Sequence, residues 1–154
     1  MLREMGSRAE VMRPAMLRIK QLLIEGNTKQ WRSKGAYMGT PWPENSPETV
    51  ARKGRTGVRS LASTMVESGD LQESLEGGAG SFARVSKGNV RVGTYLYYAI
   101  FHIKGASGKG AKSAGSTPAR KGGVPARPPL GITEADRTAA VKIIEDYLIG
   151  RRRG

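Results

Sequence analysis

The chain offers few side chains for covalent chemistry. It has one histidine, His102, and no cysteine. A thiolate nucleophile, a thiolate metal site and a disulfide framework are therefore excluded. Glu44 and Glu48 stand four apart, but spacing alone does not make the carboxylate pair that hydrolyses a glycoside. Glu145 and Asp146 are adjacent, so on a helix they point to different sides. The glycine-rich run GASGKGAKSAG at 105–115 does not link a strand to a helix in the register that cradles a phosphate. No HExxH, GxSxG or GxxxxGK[ST] pattern occurs. A lone histidine beside an aromatic run is more often structural than catalytic. The sequence predicts no catalytic, cofactor-binding or metal-ligating residues, no cofactor, and no enzyme.

What the chain has instead is cations. Its formal net charge is +13, from 26 Lys and Arg against 13 Asp and Glu. Residues 29–59 carry +5 and residues 103–132 carry +6. Both stretches read as irregular, whereas the stretches that read as packed structure are nearly neutral. Such a field favours nucleic acid or an acidic protein surface; the plain alternative is solvated loops. Lys104, Lys109, Lys112, Arg120 and Lys121 are the candidate contacts to DNA or an acidic partner. Arg151, Arg152 and Arg153 follow the last helix and can simply answer its dipole.

The elements around these residues fit one domain of 154 residues. The 21 glycines and 8 prolines imply much loop. Residues 9–25 predict an amphipathic helix with Pro14 in its first turn and Gly26-Asn27 at its end. A polar connection over 27–47 holds Trp31, Tyr37 and Trp42, with Trp42 stiffened by Pro41 and Pro43. Such an aromatic plugs a core edge or, less often, anchors a partner. Ser46-Pro47-Glu48 starts a helix, and Val58–Glu67 can add further helical turns. Alternation predicts strands at Leu71–Glu76, Phe82–Ser86 and Val90–Thr94, the last two joined by a tight turn at Lys87-Gly88-Asn89. Tyr95–Ile103 fits a strand or a short helix, and its aromatics mark core or interface. Residues 104–124 lack the apolar side chains to offset their ordering entropy and are expected to be a flexible basic insertion. Thr133 caps a terminal helix whose buried stripe is expected to be Ala140, Val141, Ile143, Ile144, Tyr147 and Leu148, with Gly150 closing it. Val92–Ile103, the longest uncharged run of note, is too short for a membrane span, which needs about 20 residues. The N-terminus has no signal-like apolar region, so a soluble protein without membrane contact is expected.

Several patterns then occur in a particular order. They are Trp42, Thr49 and Lys53 (W-x6-T-x3-K), VESGDLQES from Val66 to Ser74, and Val92-Gly93-Thr94. After these come Tyr98-Ala99 with His102-x-x-Gly105, and VPARPPLG from Val124 to Gly131. In this order they resemble the phage virion morphogenesis family, the tail-completion and neck proteins of tailed bacteriophages. Two features depart from the pattern: Pro129 stands where the family has an aromatic, and the 105–124 connection is longer and more basic. The resemblance implies an α+β fold with N- and C-terminal helices packed on a small antiparallel sheet. It implies a homo-oligomeric ring, sixfold by expectation, at the neck or top of the tail. That ring would complete the tail and join it to the head, and DNA would pass through it. The expected partners are neighbouring neck and tail proteins, and the packaged DNA through non-specific contacts. Trp42, Tyr98, His102, Pro125, Arg127, Pro128 and Leu130 are the expected subunit or partner interface, with PARPPLG as a rigid extended strut. A free-standing nucleic-acid-binding protein without sequence specificity is the alternative. No helix-turn-helix, RNA-stacking motif or zinc site supports it.

Overall fold

The computed structural model describes residues 2–55, 64–66, 68–105 and 124–150. Helices α1 (Leu2–Glu10), α2 (Arg13–Arg32) and α3 (Pro47–Arg55) lead, with a 3-10 turn at Ala36–Met38 after α2. Helix α4 (Asp70–Leu75), strands β1 (Ser81–Val85) and β2 (Val90–Thr94), helix α5 (Ala99–Lys104) and helix α6 (Glu134–Ile149) follow. The fold is α+β: helices with one two-stranded antiparallel sheet.

The N-terminal helix differs from the expectation. The chain breaks at Val11-Met12, before Pro14 can clash, and α2 begins with that proline in its first turn. Gly26 and Asn27 do not end the helix. Both are buried inside it, and the Asn27 amide donates to the Leu75 carbonyl at 3.1 Å. A Cβ at Gly26 would meet the Asp136 carboxylate at 3.7 Å, an ordinary contact, so α6 packs over this part of α2. Gly26 is a buried position inside the helix, not a stop.

Leu71–Glu76 is a helix rather than a strand. Gly69 enters it at φ +99°, and the buried residues are Leu71, Ser74 and Leu75. Spacings of three and four put Glu73 outside; the alternating reading would have placed it beside the leucines. Ser74 Oγ donates to Leu71 O at 2.9 Å and to Thr94 Oγ1 at 2.8 Å, fixing α4 to β2.

The hairpin forms as its turn residues predict. Phe82 pairs with Gly93 and Arg84 with Arg91, and the Ser86 amide donates to Asn89 O at 2.9 Å. The Phe82 ring lies where a Cβ on Gly93 would be, 2.7 Å from its Cζ. Tyr95–Ile103 resolves into an extended exit followed by α5.

Buried Trp31, Trp42, Leu71, Leu75 and Ala99 form the core, with Met65, Val66, Leu96, Tyr98 and Leu130 packed around them. The two indoles meet edge to face at 5.1 Å. Gly35, at φ +93°, permits this: a Cβ there would sit 2.4 Å from Trp42 Cδ1 and 2.5 Å from Thr40 O.

Helix α6 has the expected start and stop. The Thr133 hydroxyl accepts the Asp136 amide, the Asp136 carboxylate accepts the Thr133 amide, and Gly150 closes in the left-handed region. Its stripe is shallower than expected. Ala140, Ile143, Ile144, Tyr147 and Leu148 are half-buried, and Val141 is exposed. The insertion expected at 104–124 lies outside the described residues over 106–123, as do 58–63 and 67 of the Val58–Glu67 turns and Arg151–Arg153.

Candidate assembly surface

The motif residues converge, mostly inward, on one junction. The Arg127 side chain is buried and donates through Nε to Pro43 O and through Nη2 to Glu44 O, both at 2.8 Å. Its backbone N–H donates to His102 O at 2.6 Å. One residue thus ties the tryptophan loop, the end of α5 and the proline-rich segment together. The Pro128 carbonyl accepts from Trp42 Nε1 at 3.2 Å and from Gln30 Nε2 at 3.1 Å. Pro129 is fully buried. PARPPLG has no helix or strand hydrogen bonding over 125–131. It lies as a strut against its own subunit.

Lys53 is buried too, with Nζ donating to Val66 O at 2.6 Å. The spacing Trp42, Lys53, Val66, Leu71, Ser74 is therefore the spacing of a folded junction. Gly105, at φ +72°, serves a close approach: a Cβ there would lie 2.9 Å from Val124 O. Gly105 and Val124, the described residues on either side of 106–123, therefore lie side by side.

The expected interface residues are divided by this geometry. Trp42 and Arg127 face inward. Tyr98, Pro128, Leu130 and His102 are half-buried, and Pro125 is exposed. Lys104 is exposed, while Lys109, Lys112, Arg120 and Lys121 lie outside the described residues. The open surface belongs to neighbours that went unnamed. Tyr97 is 83% exposed and Tyr95 65%, with Ile100 and Phe101 exposed beside them on α5. The aromatic run 95–103 signalled this surface. Its division into faces was hidden because the strand-to-helix change at Ala99 could not be located from periodicity.

His102 sits edge-on to Tyr98 at 6.4 Å between centroids, and its Nδ1 is buried with no hydrogen-bond partner. Burial pushes its pKa below the ordinary value, and the Arg127 guanidinium pushes the same way. Asp136 is also buried, which favours its neutral form. Hydrogen bonds from Tyr37 and Thr133 outweigh that and hold its pKa below the usual value. The stability profile follows. Below the unfolded histidine value of 6.5 the unfolded chain binds the proton first, so stability falls with pH until folded His102 also protonates. Asp136 stabilises above 3.8, and its contribution is lost as pH falls through its lower folded value. Urea midpoints in a pH series should drop between about pH 7 and 5, and His102→Gln should flatten that limb alone. A wild-type midpoint flat across it would contradict the buried imidazole.

Among the described residues no group of three or more His, Asp or Glu could hold a metal ion. No described helix is long and apolar enough to cross a membrane. The model of the phage virion morphogenesis family matches residues 1–149 of the chain. The chain belongs to the phage virion morphogenesis family. As a member of that family it is a virion-associated bacteriophage structural protein. No curated protein and no solved structure gives a significant match.

Proposed function

We propose that this protein forms a homo-oligomeric ring, of six subunits by expectation, at the neck or top of the tail. There it completes the tail and joins it to the head. The observation that carries this is the two-sidedness of the Tyr95–Lys104 region. Its inner side is tied down by Arg127, Leu96 and Tyr98, while Tyr95, Tyr97, Ile100 and Phe101 face outward. Exposed tyrosines and apolar residues set against a rigid base are the composition of an interface centre. Membership of a virion morphogenesis family supplies the setting. The basic segment containing Lys109, Lys112, Arg120 and Lys121 would then face packaged DNA or an acidic neighbour. A free-standing nucleic-acid binder would have no need of this aromatic face.

The test is the mass of the protein in solution together with its place in intact particles. The wild type should assemble into a ring found at the head–tail junction. Tyr97→Ser with Phe101→Ser should keep the melting temperature of the subunit. It should weaken assembly by more than about tenfold, since a central aromatic contact is worth about 2 kcal/mol or more. A strictly monomeric wild type that is missing from the junction would defeat the reading.

A further inference from the structure

The hairpin presents positive charge that the fold itself does not use. Arg84 and Arg91 are register partners, so their side chains leave the same face of the ribbon with Cβ atoms about 4.5–5.5 Å apart. Both are exposed, and so is Lys87 in the turn between them. Among the described residues none of the three has a carboxylate partner. Like charges set directly opposite one another weaken a strand pair. The turn is held by Ser86 and Asn89, which bond each other, so the arginines are not needed to close it.

Between the arginines lies an open recess of about 380 Å³, lined also by Val85, Ser86 and Asn89. Its lining thus includes two arginines and no acidic residue. Guanidinium groups match phosphate oxygens bidentately. The surrounding sequence has the same sign throughout. From residue 77 to residue 133 there are nine Lys and Arg and not one Asp or Glu. An all-positive face complements a polyanion or an acidic patch on a protein. On the hairpin itself Arg84, Lys87 and Arg91 are exposed and no acidic residue is present, which suits a polymer whose charges are all negative. In a virion the abundant polymer of that kind is the genome.

We propose that the Arg84–Lys87–Arg91 face of the hairpin docks on the phosphate backbone of double-stranded DNA without reading its sequence. The aromatic surface at the hairpin base and on α5 is left to protein, and the hairpin tip takes the nucleic acid. The proposal deepens the ring reading by naming the face turned toward the DNA path. Its test uses free subunits, so it stands or falls separately from assembly.

The test compares two triple variants of the full chain with equal loss of charge. One is Arg84→Gln/Lys87→Gln/Arg91→Gln. The other is Arg18→Gln/Arg32→Gln/Lys142→Gln, three exposed cations on helices α2 and α6. Each is titrated with a labelled mixed-sequence duplex over a range of salt. Losing three phosphate contacts should lower the slope of log K against log salt by about 2 to 3 and weaken binding at least tenfold near 0.1 M salt. The helix variant should change little. Equal weakening by both variants would reduce the effect to net charge and overturn the site. So would hairpin-variant binding equal to the wild type. Poly-glutamate competing as well as duplex at matched charge would assign the face to an acidic protein instead. The hairpin variant should melt no lower than the wild type, because it removes a repulsive pair. Should it fail to fold, Arg91→Gln alone is read against Lys142→Gln, with a slope change of about 1 expected.

Discussion

Trp42→Ala should destabilise the subunit by about 3–5 kcal/mol, the range for removing a large aromatic from a core. Trp42 is only 6% exposed, and its indole is the edge-to-face partner of Trp31. Alanine would remove that pair, the hydrogen bond to Pro128 O and the contact that fills the space over Gly35. The cavity would open between α2, the loop over 41–43 and the proline-rich segment over 125–131, whose proline rings limit relaxation. A domain of this size has a total stability of about 5–15 kcal/mol, so the loss is a large share. The melting temperature should fall by roughly 10 °C or more. Trp42→Phe keeps the ring packing and loses the donor, so it should cost about a third as much. If Trp42→Ala left melting unchanged and abolished assembly, the indole would be a partner anchor and not a core plug.

Much of the architecture is legible from residue types. Thr133, Asp136 and Gly150 start and stop α6 because their side-chain and backbone preferences act within one turn. Lys87-Gly88-Asn89 fixes the hairpin for the same local reason. The order of motifs from Trp42 to Leu130 named the family, because those residues satisfy each other across the junction. What failed was the choice between periods in short apolar runs. Leu71, Ser74 and Leu75 fit a helix, while Leu71, Glu73 and Leu75 fit a strand, and six residues are too few to separate them. Gly26 reads locally as a stop, and only its burial beneath α6, far away in sequence, shows it inside the helix. The site was half visible. The aromatic run was marked, yet Tyr97 could not be told from Tyr98 without the backbone. The hairpin cations were hidden by averaging, since a window over 60–102 also takes in Glu67, Asp70, Glu73 and Glu76. Charge becomes a site only when register places Arg84 opposite Arg91.

Arg127→Ala should cost about 2–4 kcal/mol in the isolated subunit, because its buried guanidinium makes two charge-assisted hydrogen bonds, each worth more than a neutral one. The guanidinium is the only group bonded to Pro43 O and Glu44 O among the contacts described, and it reaches both with one planar fork. Alanine would remove this donor from both carbonyls and free the loop that carries Trp42. Neither effect needs a second subunit. Lysine brings a charge but no fork, so Arg127→Lys should recover only part of the loss. Urea unfolding at a concentration where the protein is monomeric measures the cost. Amide exchange then shows whether 42–45 and 102–105 open together, as the shared bond from the Arg127 amide to His102 O requires. Trp42→Ala and Arg127→Ala should also be less than additive, since both act on one loop. The result that would overturn this is an Arg127→Ala subunit with wild-type stability that no longer assembles. That outcome would place the guanidinium in the interface between subunits and leave Pro43 and Glu44 to be satisfied by something else.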